Sequence, residues 1–177
     1  MALRYPLSES DHIQGNPNAA IELIEYGDYQ CPYCWKAYPI VKKLQEQLGD
    51  KLKFSFRNFP LAKIHPNAMM AATASEAAAI QGKYWEMHDL LYEKHKRLGK
   101  EALMSYAAEL KLDTEQFERD MLSEALTEKV EAEFLGGIRS GVNATPTFFI
   151  NGEKYTDDWD ENNLLDYIML SGLIHKK

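Results

Sequence analysis

Two cysteines, Cys31 and Cys34, lie between a strand-like apolar run and a segment with helical spacing of apolar residues. This placement constrains the fold more than any other feature. Before them, residues 20–27 form a short, β-branched apolar run that predicts a buried strand. After them, residues 35–48 repeat apolar side chains at helical spacing. We therefore expect the pair between the end of a strand and the first turn of a helix.

The rest of the chain predicts an α/β fold. Residues 51–57 alternate apolar and polar side chains, so they form a second strand, parallel to the first through a right-handed crossover. Residues 67–138 are mostly helix formers and predict four or five helices. Residues 147–156 predict a hairpin around an Asn-Gly turn, and a last helix carries Leu164 to Met169.

Composition excludes several classes of protein. The 177 residues carry a formal net charge of -7 without a basic stripe, so we expect no nucleic-acid partner. The apolar runs are too short for a membrane span, and two cysteines exclude a disulfide scaffold. Since the first residues lack an apolar stretch of signal-peptide length, we expect a cytoplasmic protein; the alternative is a periplasmic or exported protein whose signal was removed.

The cysteine spacing indicates redox chemistry. A helix N-terminus favours a thiolate, so Cys31 is the expected nucleophile, exposed and acidic, and Cys34 the shielded thiol that resolves the mixed disulfide. Pro32 lies in the first turn, where its missing N–H costs nothing. A zinc site would need further ligands, and no second C-x-x-C or paired-histidine spacing occurs; a structural disulfide would close only a very short loop.

Further motifs carry a family resemblance. The sequence Cys-Pro-Tyr-Cys after a strand, a large helical stretch, and then Gly-Val-Asn-Ala-Thr-Pro-Thr-Phe-Phe-Ile-Asn-Gly over residues 141–152 together resemble the DsbA-like thiol-disulfide oxidoreductases. Residues 56–61, followed by His65-Pro66, are similar to that family too. The resemblance implies a thioredoxin fold with an inserted helical subdomain, and no organic cofactor. It also implies a cis bond before Pro146, facing the cysteines, and a Thr145 backbone that pairs with an extended substrate peptide.

On this basis the chain divides into three parts. Residues 1–19 form an N-terminal arm, residues 20–62 and 142–177 the thioredoxin-fold domain, and residues 63–141 the inserted helical subdomain. The dipeptide between the cysteines is Pro-Tyr, unlike the Pro-His of the best-known periplasmic member, so strong oxidant behaviour does not carry over.

Two other functions remain open. Kappa-type glutathione transferases and related isomerases share this architecture, although they normally have a serine where Cys31 stands. A redox-inactive binding module would keep the fold without the chemistry. The favoured hypothesis is exchange with protein thiols or disulfides by a monomer, with glutathione or a thioredoxin-type protein as a possible redox partner.

Aromatic residues surround the pair and are candidate partner contacts. Tyr29, Tyr33 and Trp35 offer contact area at little entropic cost, and Pro32 lies between them. Trp35 could equally pack under the helix.

The histidines favour structural roles. A residue such as His65, before a proline, more often caps the following helix or satisfies buried backbone than catalyses. His88 and His95 indicate a solvated helix face. We expect no metal.

Glu25 is the remaining candidate catalytic residue. Strand period two places it on the same face as Ile21 and Leu23, six residues before Cys31. A carboxyl on an apolar face has a raised pKa and could exchange a proton with Cys34. The resemblance places an acid at this offset, which favours it over Glu22. The alternative is a strand-end residue that reaches solvent or a lysine.

Overall fold

The computed structural model describes residues 1–171, which form a mixed sheet with helices on it. Five strands occur in this part of the chain, in the spatial order β1-β3-β2-β4-β5. They are β1 (Ile13–Gly15), β2 (Ile21–Gly27), β3 (Leu52–Asn58), β4 (Thr147–Ile150) and β5 (Glu153–Lys154). β2 and β3 are parallel, as predicted, and the other pairings are antiparallel. This is a thioredoxin-like fold.

The central strand β2 is buried on both faces because its two sets of side chains enter different cores. Ile21 and Leu23 belong to the larger apolar cluster, together with α1 (Pro32–Leu48). Ile24 and Tyr26 belong to a smaller cluster on the opposite face. This double burial explains why apolar residues occur in both alternating sets of side chains along β2.

Helix α1 begins at the redox pair and ends where the sequence predicts. Cys31 is its N-cap, with extended backbone, and Pro32 is its first helical residue. Gly49 ends it with a φ of +50°. Glycine adopts this left-handed region without the steric penalty of a side chain.

The inserted stretch contains five helices, in agreement with the predicted four or five. They are α2 (Ala68–Ile80), α3 (Tyr84–Glu93), α4 (Lys100–Glu109), α5 (Thr114–Met121) and α6 (Glu124–Arg139). α2 lies at their centre, in contact with the other four. Its alanines let neighbouring helices approach closely, which explains why it is buried nearly all round.

The last elements also follow the prediction. In the β4–β5 hairpin, Asn151 and Gly152 both have positive φ, as the turn requires. β5 is shorter than the expected strand over residues 153–156. The final helix α7 (Asn163–Leu170) packs Leu164 and Ile168 into the core. The predicted second segment, residues 142–177, extends beyond the described residues by residues 172–177.

Part of the N-terminal arm joins the sheet. Ile13 pairs with Ser55, so β1 covers the outer edge of β3. Arg57 on β3 then clamps the arm through Asp11, at 2.8 Å from Nε and 2.9 Å from Nη2. Three residues are too short for a periodicity to reveal, and their partner is distant in sequence.

Candidate active site

The two cysteines lie in the first turn of α1 with different exposure. Both are free thiols, and Cys34 is fully buried, as predicted. The prediction that Cys31 is exposed is wrong, since only 4% of it is accessible. Its Sγ lies 3.6 Å from the carbonyl oxygen of Thr145, so the loop before β4 covers it.

The surroundings separate the two thiols chemically. The pKa of Cys31 is lowered to about 5, chiefly by its hydrogen bond with the Cys34 thiol, and burial opposes the shift. Thr145 and the N–H groups of Cys34 and Tyr33 also stabilise the thiolate. The pKa of Cys34 is raised well above its usual value by burial and by the Cys31 contact. At neutral pH, Cys31 is therefore the anionic sulfur.

The loop opposite the cysteines has the expected backbone. The bond between Thr145 and Pro146 is cis. Thr145 is 7% exposed, and its Oγ1 has no hydrogen-bond partner among residues 1–171. While Cys31 is a thiol, it donates to the Thr145 carbonyl. Ionised, it becomes an acceptor that the Thr145 hydroxyl can serve.

Glu25 is buried beneath the pair. It is 2% exposed, and within the described part of the chain its Oε2 has no hydrogen-bond partner. Gly27 leaves room for the carboxyl, because a Cβ there would lie 3.0 Å from Oε2. Burial, and secondarily the charge on Cys31, raise the pKa of Glu25 to about 8. The alternative of a solvated strand-end residue does not fit this geometry.

Sequence reasoning missed Asp28, whose main chain touches both cysteines. Its N–H donates to Cys34 Sγ at 3.5 Å, and its carbonyl accepts from the Cys31 N–H at 3.0 Å. Its carboxylate is buried and contacts His65 Nδ1 at 2.7 Å. The sequence signal that could have indicated Asp28 as a site residue is its position, three residues before Cys31 and directly after the end of β2.

A family model described as Thioredoxin matches residues 7–169. The chain belongs to the thioredoxin family.

Solved structures of this thioredoxin type resemble the chain over nearly its whole length. A thioredoxin-like oxidoreductase from Silicibacter pomeroyi DSS-3 is 27% identical, with a TM-score of 0.82 and 93% of each chain covered. Oxidised BdbD from Bacillus subtilis is 24% identical, with a TM-score of 0.82 and 96% of each chain covered. The thioredoxin family match and the oxidoreductase from Silicibacter pomeroyi support thiol-disulfide exchange in general.

Curated relatives of this thioredoxin-family chain are much longer proteins. The Na(+)/H(+) antiporter NhaA 1 of Mycobacterium sp. (strain KMS) is 38% identical over 159 residues, which are 89% of this chain and 26% of that protein. The chain thus spans about a quarter of the length of the curated relatives it matches. In residues 1–171, each helix is too short or too polar to cross a bilayer.

The expected cytoplasmic location finds no support in these comparisons. One solved neighbour, from Salmonella enterica serovar Typhimurium, is a periplasmic thioredoxin-like protein. It is 17% identical, with a TM-score of 0.77 and coverage of 94% of this chain and 92% of that one, and it shows the fold alone.

The aromatic residues near the cysteines divide between surface and core. Tyr33 is 62% exposed beside the exposed Pro32. Trp35 is half-buried, donates through Nε1 to the Tyr29 carbonyl at 2.7 Å and stacks on His95, which fits the packing alternative. Tyr29 is 1% exposed, so the expectation that it belongs to the contact surface is wrong.

The histidines also depart from expectation. His88 is buried against the Tyr29 hydroxyl, 2.8 Å from Nδ1, and burial holds the pKa of His88 well below its usual value. The predicted solvated face is therefore wrong, because α3 turns His88 and Tyr92 together into the core. His65 contacts Asp28, and the N-cap of α2 is Asn67. Across residues 1–171 no cluster of three or more His, Cys, Asp or Glu side chains could hold a metal ion.

Proposed function

We propose that this protein exchanges disulfides with the thiols of other proteins through Cys31 and Cys34. One observation carries the proposal: Cys31 caps α1 with its sulfur against the cis-proline loop, while Cys34 is enclosed one turn behind it. This arrangement gives one sulfur to the partner and keeps the other for the internal step.

The exchange takes two balanced steps. The Cys31 thiolate attacks a partner disulfide, a bond forms between Cys31 and one partner sulfur, and the other partner sulfur leaves as a thiolate. Cys34 then loses its proton and attacks Cys31 Sγ, which releases the first partner sulfur and closes the internal disulfide. The protein has given two electrons to the partner. Run backwards, the same steps oxidise a partner dithiol.

Glu25 is the proposed proton acceptor for Cys34. Its carboxylate is buried beside the pair, and its charge contributes to the raised pKa of Cys34. Since the pKa of Glu25 is about 8, most of its carboxyl is protonated at pH 7, and the ionised minority can accept the Cys34 proton. A group with such a pKa can both take and return a proton during exchange.

The proposed direction is oxidation, outside the cytoplasm. A Cys31 thiol with a pKa of about 5 is ionised at neutral pH, which stabilises the reduced protein relative to its disulfide. A protein whose reduced form is stabilised tends to transfer its disulfide to partner dithiols and thus acts as an oxidant. The Salmonella neighbour, periplasmic by its name, supports the same compartment, where disulfides persist. A signal sequence encoded upstream, or recovery from the periplasmic fraction, tests the location.

The proposed substrate contacts are Pro32, Tyr33 and Trp35 on α1 and Thr145 on the facing loop. Exposed Tyr33 supplies apolar area next to the reacting sulfur. A glutathione or thioredoxin-type partner would reset the redox state, and the working unit is a monomer.

Two assays test this function. Insulin reduction should proceed with the wild type and stop in Cys31→Ser, whereas Cys34→Ser should accumulate mixed disulfides with its partners. Trapping of partners on Cys34 would reverse the assignment of the two thiols. Equilibrium with glutathione then measures the redox potential. Glutathione conjugation to an electrophile without insulin reduction would favour the transferase alternative. Absence of both activities would favour a redox-inactive binding module.

A further inference from the structure

The Asp28 carboxylate is a buried junction for three hydrogen bonds. It accepts from the Gln30 N–H at 2.7 Å, the Leu61 N–H at 3.0 Å and His65 Nδ1 at 2.7 Å. Its side chain is 0% exposed. A carboxylate removed from water needs such donors to offset its lost solvation, so these contacts fix the position of Asp28.

The backbone of Asp28 transmits that position to the redox pair. Its N–H is a donor to Cys34 Sγ, at 3.5 Å, and lowers the otherwise raised pKa of Cys34. Negative charge develops on Cys34 in both directions of exchange, because Cys34 is the attacking thiolate in one and the leaving thiolate in the other. A donor fixed at this sulfur therefore favours the reacting state.

His65 is the side chain that ties Asp28 to a separate segment of the fold. It lies between β3 and α2, in a turn closed by its own N–H, which donates to the Leu61 carbonyl at 2.9 Å. A carboxylate oxygen that already accepts the Leu61 N–H requires a donor at Nδ1, which defines the proton on that nitrogen. The ring is 16% exposed, so the contact is largely shielded from water.

We propose that His65 is a positioning residue for Cys34: through Asp28 it sets the rate at which Cys34 resolves the mixed disulfide on Cys31. The inference rests on the proposed exchange function and adds a residue that touches neither sulfur. The role depends on the N–H that His65 donates from Nδ1 to the Asp28 carboxylate. Asparagine can present an N–H near the Nδ1 position and should therefore preserve the role of His65, whereas leucine should not.

The test follows the reaction of reduced protein with oxidised glutathione by acid quench and mass spectrometry. This separates formation of the Cys31–glutathione disulfide from its resolution by Cys34. In His65→Leu, resolution should slow about tenfold, as for the loss of one hydrogen bond to a charged group, with formation within about twofold of wild type. His65→Asn should resolve within about twofold of wild type. If His65→Leu does not fold, His65→Ala takes its place with the same expectation.

The chain offers a matched control in His12, another half-buried histidine paired with a buried carboxylate. His12 Nε2 lies 3.0 Å from Glu76, with side-chain exposures of 21% and 3%. His12→Leu should lower the unfolding midpoint and leave the resolution rate unchanged.

Each outcome separates the inference from the function beneath it. Three results would overturn the positioning role alone. The first is a wild-type rate of resolution in His65→Leu, and the second is equal slowing of formation and resolution in that variant. The third is a slow rate of resolution in His65→Asn. A wild type that forms no mixed disulfide at all would contradict the proposed function and this inference with it.

Discussion

At the scale of single residues, the Thr145 hydroxyl is placed to stabilise the Cys31 thiolate. It is buried, and among the described residues it has no acceptor until Cys31 ionises. Thr145→Val should therefore raise the pKa of Cys31 by about one pH unit, the worth of one hydrogen bond to a charged group. Thiolate absorbance at 240 nm against pH measures this.

Thr147 provides the control in the same loop. Its hydroxyl is already engaged with the Ala144 carbonyl at 2.7 Å, so Thr147→Val should leave the Cys31 titration in place. Identical titrations for the wild type and Thr145→Val would remove the hydroxyl from the site.

Replacing Glu25 by glutamine should slow exchange near neutral pH and stabilise the fold. Its pKa rises from 4.5 in the unfolded chain to about 8 in the folded one. Between these values the folded state holds a proton that the unfolded state has lost, so wild-type stability falls as pH rises from 4.5 to 8. Glu25→Gln removes that fall. Its advantage in free energy of unfolding is greatest above the folded-state pKa, on the order of 1.4 kcal/mol for each pH unit that separates the two pKa values.

Urea unfolding of the reduced protein at several pH values measures this effect, with stopped-flow exchange beside it. Glu22→Gln is the control, since Glu22 is half-buried on the same strand and pairs with Lys53 at 3.6 Å. Exchange rates of Glu25→Gln equal to wild type from pH 6 to 8 would exclude Glu25 from the mechanism.

At the scale of elements, Gly27 on β2 has no side chain and so leaves room for Phe56 on β3 and for the Glu25 carboxyl. A Cβ on Gly27 would lie 2.5 Å from Phe56 Cε2 and 3.0 Å from Glu25 Oε2. Gly27→Ala should therefore cost about 1–3 kcal/mol of unfolding free energy through overpacking. It should also disturb exchange, because the Glu25 carboxyl must shift.

Chemical denaturation checks the Gly27 prediction. Gly99→Ala is the matched change, because a Cβ at Gly99 would meet no atom within 4 Å. Equal stability of the two alanine variants would show that the Phe56 ring moves aside freely.

Elements with a strong local pattern were predictable from the sequence, and contacts between distant segments were not. β2, α1 and the hairpin follow from periodicity, a terminating glycine and an Asn-Gly turn. By contrast, Cys31 is covered by a residue 114 positions away, and Asp28 meets its histidine across 37 positions. No spacing within one segment encodes such pairings, so the burial of Cys31 and the role of Asp28 escaped prediction.

At the scale of the whole molecule, the arm is fastened to the sheet by the buried pair of Asp11 and Arg57. Each side chain is 6% exposed. Burial opposes ionisation of Asp11, but Arg57 outweighs it and holds the pKa of Asp11 below 3.8. The pair therefore contributes stability above that pH, and the contribution is lost as pH falls through the lowered pKa.

Asp11→Asn should leave the Arg57 charge uncompensated and cost about 3–5 kcal/mol at neutral pH. The difference from wild type should begin to shrink below pH 3.8, as the pH approaches the lowered pKa of Asp11. Thermal unfolding at pH 7 and pH 3 measures both. Glu109→Gln breaks the exposed pair with Lys94 and should cost far less than Asp11→Asn, because solvent screens exposed charges. A similarly small loss for Asp11→Asn would mean that the arm is not held by this pair.

The near-complete burial of Cys31 restricts which partner sulfurs can reach its Sγ. Only 4% of Cys31 is accessible, and the Thr145 carbonyl lies 3.6 Å from its Sγ, so a partner sulfur must approach past this loop. For the proposed exchange, we therefore expect a cysteine on an unfolded, extended segment to react with Cys31 faster than the same cysteine on a rigid folded surface.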